Sequence, residues 1–206
     1  MKNEMNRETY LNKVIDKAVP LFNNSGFKIS EIRTKLKVSC SFIKGVRGSK
    51  NKAIGVHYSP LSSANGYHEM MIEPSISDSQ EAIGILIHEM VHAIQTHLYH
   101  DDKGRLNVGA HGKEFRKIAL SVGLCGKMTS TKSSPELIKT IDTWIKEFGK
   151  YPHSPITLSN RKKQTTRNLK VECQSCLWSF RCSNQNINRI QSYKCLACDN
   201  GELEIV

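Results

Sequence analysis

The chain has 206 residues and a net charge of +11, because its 30 Lys and Arg outnumber its 19 Asp and Glu. This length suits one core domain with a small appendage, and no apolar run reaches the roughly 18–20 residues that would span a bilayer. Residues 1–8 are polar and contain acidic groups, unlike a secretory signal. We therefore expect a cytoplasmic protein without membrane contact, in which the seven cysteines are reduced or bind metal.

The first third of the chain predicts one helix and three short strands. Residues 7–22 carry apolar side chains at helical spacing, and the polar run 23–26 ends this helix. Short runs that alternate or are rich in β-branched residues then predict strands. These strands are expected at residues 35–43, 53–58 and 67–72.

The remainder predicts three helices, a linker and a smaller second domain. Ser79 is expected to cap a long helix that extends to Leu98, and a shorter helix is predicted over residues 112–122. The motif Ser133-Ser-Pro-Glu136 opens the last helix. Residues 150–168 are rich in Pro, Ser, Asn and basic groups, which indicates a linker. The predicted division is a first domain at 1–155, a basic linker at 156–170 and a second domain at 171–206.

The long helix carries the most informative motif, His88-Glu89-Met90-Val91-His92. His88 and His92 project from one face of a helix because they are four residues apart. Two neutral imidazoles held in this way suit a zinc ion, and Glu89 beside them can act as a general base without binding the metal. Apolar residues predict a buried stripe along the same helix: Ile83, Ile87, Val91, Ile94 and Leu98.

A catalytic zinc commonly has three protein ligands, so the chain must supply one more. The pattern with glycine three residues and histidine six residues beyond the second histidine does not apply, because Gln95 and Leu98 stand there. Two candidates remain in the following segment, His111 and Glu114. The other histidines are expected on the surface or in loops: His57, His68, His97, His100 and His153.

Four cysteines near the C-terminus predict a second, structural zinc site. They form two Cys-x-x-Cys pairs separated by 18 residues: Cys173 and Cys176, then Cys195 and Cys198. This is the spacing of a zinc ribbon. Glycine often follows the second cysteine of such a pair, whereas Leu177 and Asp199 stand there. So short a segment cannot build an adequate apolar core, so we expect zinc to stabilise it. Cys182 is expected to be a half-buried strand residue and not a ligand.

Basic residues cluster in two segments, which favours a polyanionic partner such as nucleic acid. Residues 28–52 contain eight Lys and Arg with one acid, Glu31, and residues 161–170 contain five with none. The candidate contacts are Lys44, Arg47, Lys50, Lys52, Arg161, Lys162, Lys163 and Arg167. Near the cysteines, three aromatic residues either stack on bases or form the small apolar core of the ribbon: Trp178, Phe180 and Tyr193.

The order of these motifs resembles the SprT-like (Spartan-like) family of zinc metallopeptidases. The resemblance rests on His-Glu-Met-Val-His-Ala and on a following His111-Gly-x-x-Phe115, with 18 residues between His92 and His111. It spans residues 8–122 and continues over 170–206 into a zinc ribbon, as in bacterial and phage members. It implies an α+β fold, with a zincin-like domain of helices and a small antiparallel sheet before the ribbon. It also implies that His111 is the third ligand.

The same resemblance implies a metallopeptidase with two zinc ions that cleaves proteins bound or crosslinked to DNA, with DNA as partner and activator. The DNA could be single-stranded. We expect a monomer, associated with the nucleoid in the cytoplasm of a bacterium or a phage-infected host. Two alternatives stay open: a nucleic-acid-binding accessory or transcription-linked protein with little or no protease activity, and a zinc hydrolase that acts on something other than protein. Glu89 argues against the first, because a purely structural zinc would not need it.

Overall fold

The computed structural model describes residues 5–43, 53–156, 168–183, 186, 193–199 and 201–206. The chain separates into two compact units, Met1–Thr157 and Leu158–Val206. Over the described ranges, no helix combines the length and the apolar character that would let it cross a bilayer.

The described part of the first unit contains helices and strands in alternation, so the predicted α+β class is confirmed. Its helices are α1 (Arg7–Asn24), α2 (Ser79–Leu98), α3 (Lys113–Ser121) and α4 (Pro135–Phe148). Its strands are β1 (Leu36–Cys40), β2 (Gly55–Tyr58), β3 (His68–Ile72), β4 (Leu124–Lys127) and β5 (Ser130–Ser133). Short 3-10 helices cover Ile29–Lys35 and Pro60–Ser62.

The first three strands form one sheet in the order β1-β3-β2. β2 runs antiparallel to β3, but β1 runs parallel to it, with Leu36 opposite His68. The sheet that the sequence predicts as antiparallel is therefore mixed. Successive strands do reverse direction along the chain. Because β3 lies between the other two, however, it pairs with β1, which points the same way.

Helix α2 is the centre of the first unit. It contacts α1, α3 and α4 as well as β2 and β3, so it is buried on several sides and not along one stripe. Its fully buried large side chains are Ile83, Leu86, Ile87, Met90 and Val91. Burial of each such side chain contributes about 1.5–3 kcal/mol. Leu98 is 47% exposed, contrary to the predicted stripe, because it is the last residue of the helix.

The N-terminus of α2 differs by one residue from the prediction. Asp78 is the cap, and its carboxylate accepts the Glu81 N–H at 2.8 Å. Ser79 is the first helical residue, and its Oγ instead accepts the Tyr151 N–H at 2.9 Å. Asp78 thus caps the helix, and Ser79 connects the start of the helix to the segment that follows α4.

The hairpin of β4 and β5 was not predicted. Its register pairs Lys127 with Ser130, so the loop is the two residues Met128 and Thr129. Loops of this length usually contain Asn-Gly, Asp-Gly or another glycine, but this loop contains no glycine. The sequence therefore lacks the usual sign of a hairpin at this point.

The second unit is described by itself. β6 (Leu169–Cys173), β7 (Ser179–Cys182) and β8 (Leu203–Ile205) form an antiparallel sheet in the order β7-β6-β8. Among its described residues, Val171, Cys173 and Cys195 are buried. The cysteines therefore form much of the interior, as expected for a unit whose stability depends on metal.

Candidate active site and metal centres

Three histidines converge in the first unit. One ring nitrogen each of His88, His92 and His111 lies within 4.8 Å of the others, and the Nε2 atoms of His92 and His111 are 3.2 Å apart. Two nitrogens bound tetrahedrally to one zinc at about 2.05 Å would be about 3.3 Å apart. The spacing and the chemistry of these donors therefore fit a shared zinc ion.

Two elements bring these rings together. α2 supplies His88 and His92 from one face, and the loop after α2 returns His111 to them just before α3. Phe115 on α3 packs against all three imidazoles, with ring centroids 4.9, 4.5 and 4.9 Å from those of His88, His92 and His111. The phenylalanine of His-Gly-x-x-Phe thus provides the apolar surface on which the rings rest.

The structure favours His111 over Glu114 as the third ligand. Glu114 is not part of the three-residue cluster among the described residues. Its carboxylate instead lies 3.7 Å from the ammonium of Lys113.

Burial keeps the imidazoles neutral. It lowers the pKa of His88 to about 4 and that of His92 to about 2, with smaller contributions from neighbouring imidazoles, and it also lowers the pKa of His111. Neutral rings have the lone pairs that a metal needs. Burial also raises the pKa of Glu89 to about 8, and a cation nearby would favour its ionised form.

Strand β2 sets the space available to Glu89. The Glu89 side chain is almost completely buried. A Cβ added to Gly55 would lie 2.5 Å from Glu89 Oε1 and 2.5 Å from Ile85 Cγ2. Only glycine therefore allows β2 to approach the carboxylate this closely.

Thr131 is a site residue that sequence reasoning missed. Its Oγ1 lies 2.8 Å from Nδ1 of His88. This bond leaves the other ring nitrogen, Nε2, for a metal and fixes the orientation of the ring. Thr131 lies on β5 in the unpredicted hairpin, so no pattern in the chain could connect it to His88.

His57 and His68 also lie at the site, contrary to the expectation that they are surface or loop residues. His68 is 3% exposed. Its Nδ1 is 2.9 Å from Nε2 of His57, whose ring is nearly parallel to that of His92 at a centroid distance of 6.3 Å. Burial lowers the pKa of His57 to about 3 and that of His68 to about 4. Alternation along β2 and β3 predicts strands, but it does not indicate which face of the sheet helix α2 covers.

These depressed pKa values predict that acid destabilises the metal-free protein. Below about pH 6.5 the histidines of the unfolded chain become protonated, whereas the buried imidazoles of the native protein stay neutral. The free energy of unfolding therefore falls as the pH drops from about 6.5 to about 4. Each buried histidine contributes up to about 1.4 kcal/mol per pH unit. Urea unfolding of the chelated protein at pH 7.5, 6 and 5 measures the slope. His57→Gln should reduce this slope. A free energy of unfolding that does not change with pH would contradict the burial of neutral imidazoles.

The four cysteines form a second cluster, in the second unit. Their Sγ atoms all lie within 4.8 Å of one another. Cys173 and Cys198 are 3.7 Å apart, and Cys176 and Cys195 are 3.6 Å apart. Four thiolates around one zinc at 2.3 Å would be about 3.8 Å apart, so this cluster fits a zinc ribbon. Cys182 lies half-buried on β7, outside it.

The two Cys-x-x-Cys turns repeat one geometry. In each, the first sulfur accepts a backbone N–H, from Ser175 at 3.4 Å and from Ala197 at 3.3 Å. Backbone N–H groups, that of Cys176 first, lower the pKa of Cys173, which favours the thiolate form of this sulfur.

The positions where glycine is usual are filled at some conformational cost. Leu177 and Asp199 adopt φ angles of 61° and 56°, the left-handed conformation that glycine adopts most easily. Gly201 is needed instead for space, because a Cβ there would overlap the Sγ of Cys173. Gly201 thus lies next to the sulfur atoms, at a position that has no room for a side chain.

The candidate nucleic-acid contacts all lie outside the described residues: Lys44, Arg47, Lys50, Lys52, Arg161, Lys162, Lys163 and Arg167. Of the aromatic candidates, Tyr193 is 66% exposed and Trp178 is 40% exposed. Trp178 nevertheless packs on the partly buried Phe180, with ring centroids 5.2 Å apart, whereas Tyr193 is not part of an apolar core among the described residues.

The α+β fold and the three-histidine site with its buried carboxylate define a zinc metallopeptidase-like domain. The model of the SprT-like family matches residues 24–141, more than half of the chain, and the chain belongs to this family. The family assignment from the motifs is thereby confirmed. No curated protein and no solved structure matches the chain at a significant level.

Proposed function

We propose that the chain is a zinc-dependent endopeptidase that cleaves proteins bound or crosslinked to DNA. His88, His92 and His111 would hold the catalytic zinc, and Glu89 would be the general base. One observation carries this proposal. Three neutral imidazoles converge, and the helix that supplies two of them also bears a buried carboxylate whose pKa is raised.

The chain's own residues account for the proton transfers. When bound, a zinc ion supplies Lewis acidity toward a substrate carbonyl and acidifies water at the site. Glu89 takes the proton of the attacking water and passes it to the leaving amine. A carboxylate that burial has made more basic is well suited to this task. Thr131 and Phe115 keep the His88 ring in place during the reaction.

A second zinc would be structural. The four thiolates would close a tetrahedral site without an open position, which is typical of a site that stabilises and does not react. The proposed stoichiometry is therefore two zinc ions per chain.

Charge and exposed aromatic residues support DNA as the partner. The net charge of +11 favours contact with phosphate. Exposed aromatic rings such as Tyr193 and Trp178 can stack on unpaired bases, which favours single-stranded DNA. We propose that the protein acts as a monomer in the cytoplasm, where the nucleoid supplies both the activator and the substrate.

The test is cleavage of a DNA-bound protein by the zinc-loaded chain, with and without single-stranded DNA. We expect cleavage that DNA stimulates and that Glu89→Gln abolishes. DNA binding without cleavage would instead support the accessory-protein alternative. Cleavage of a non-peptide substrate alone would support a different zinc hydrolase.

The close approach of Gly55 to Glu89 predicts that a larger residue at position 55 impairs catalysis. In Gly55→Ala the added methyl group displaces the carboxylate, so kcat/KM should fall by roughly 10²-fold. The free energy of unfolding should fall by only about 1–3 kcal/mol, and zinc content should be unchanged. Val56→Ala is the matched control, because successive side chains on a strand face opposite sides. Full activity of Gly55→Ala would show that this glycine does not position the base.

A further inference from the structure

Gln95 is a fully buried polar residue to which neither the motif nor the mechanism assigns a role. It lies on α2 three residues after His92, and it is 0% exposed. Its Nε2 donates to the Gly109 carbonyl oxygen at 3.1 Å. Its Oε1 is the one buried side-chain oxygen or nitrogen without a hydrogen-bond partner among the described residues. A buried acceptor left without a partner is destabilising, so it needs an explanation.

The orientation of the Gln95 amide is determined by its contact with Gly109. A carbonyl oxygen can only accept, so the Gln95 nitrogen must face Gly109 and the Gln95 oxygen must face elsewhere. On a helix, residues three apart are neighbours. The Gln95 side chain therefore lies on the same side of α2 as His92.

His92 has one ring nitrogen that needs such an acceptor. Its Nε2 faces Nε2 of His111, so this is the atom that would bind the metal. A neutral imidazole that binds metal through Nε2 carries its proton on Nδ1. Ligand histidines nearly always donate that proton to an acceptor, which fixes the tautomer and the ring.

We propose that Gln95 is a positioning residue that connects two of the three zinc ligands. In the metal-bound protein its Oε1 accepts the Nδ1–H of His92, while its Nε2 holds the carbonyl of Gly109, two residues before His111. One buried amide thereby fixes the ring of the second ligand and the loop that carries the third. This inference rests on the metal site of the proposed function, but not on the identity of the substrate.

The test is the zinc affinity of the histidine site, measured by chelator competition, with the four-cysteine site as internal reference. Gln95→Met keeps the shape of the side chain and removes both hydrogen bonds. We expect it to weaken zinc binding at the histidine site roughly 10–100-fold and to leave the cysteine site unchanged. With Co²⁺ in the histidine site, the visible absorption spectrum should also change, because the His92 ring is no longer fixed.

Two further variants separate positioning from a general effect on folding. Gln95→Glu keeps the acceptor for His92 and should retain more zinc affinity than Gln95→Met. Gln80→Met removes an exposed glutamine of the same helix that bonds to Asp142, and it should leave zinc affinity unchanged. Equal affinity in wild type and Gln95→Met, or equal losses in Gln95→Met and Gln95→Glu, would overturn the proposal. So would a histidine site that binds no zinc in the wild type. Loss of protease activity at unchanged zinc affinity would also count against it, because the connection acts through the ligands.

Discussion

Glu89→Gln should abolish peptide cleavage while both zinc ions stay bound. The amide has the size and shape of the carboxylate, so it fits the space beside Gly55. It cannot take a proton from water, and general base catalysis typically contributes 10²–10⁴-fold to the rate. We therefore expect kcat to fall by at least about 10²-fold with little change in KM.

The measurement is single-turnover cleavage with parallel determination of zinc by emission spectroscopy. Glu81→Gln is the matched control, because Glu81 is an exposed residue in the first turn of the same helix and should leave the rate unchanged. Because the buried Glu89 carboxyl has a raised pKa, its neutral replacement should not destabilise the fold. Persistent cleavage by Glu89→Gln would contradict the role of Glu89, and loss of the metal would indicate that Glu89 is a ligand.

Removal of the cysteine-bound zinc should unfold the second unit and leave the first intact. The described residues of that unit bury few side chains besides the cysteines, and structural zinc typically supplies about 10–16 kcal/mol of binding free energy. In Cys195→Ser we expect one zinc fewer per chain. Limited proteolysis should cut within residues 158–206, while the fragment that contains α2 resists.

Cys182→Ser is the control for this experiment, because Cys182 lies outside the cluster. It should retain both zinc ions and the wild-type proteolysis pattern. DNA affinity measured on the same proteins shows whether the second unit contributes to DNA binding. A Cys195→Ser protein with two zinc ions and a protease-resistant second unit would contradict a metal-stabilised fold.

The sequence predicts the parts of the fold that depend on local patterns. α2 and its motif follow from helical spacing, and α4 begins at the Ser-Pro-Glu cap as expected. The four cysteines are predicted by spacing alone. These features are encoded within a few residues of each other, so one sequence is enough to find them.

The parts that were missed depend on contacts between distant segments. Thr131 reaches His88 from a hairpin that has no turn residues to mark it, and His57 and His68 reach the site because β2 and β3 pack on α2. The parallel pairing of β1 with β3 depends in the same way on which strand lies in the middle. None of these contacts can be inferred from spacing, because spacing does not specify which face of a strand is covered.

The central claim is that three imidazoles share one zinc ion, and metal content tests it most directly. The wild-type chain should bind two zinc ions, and a His88→Ala, His92→Ala double variant should bind one, retained by the cysteines. X-ray absorption at the zinc edge of a Cys173→Ser, Cys195→Ser variant should then show nitrogen and oxygen neighbours only. A wild-type protein with a single, sulfur-coordinated zinc that is unaffected by the histidine substitutions would contradict the account.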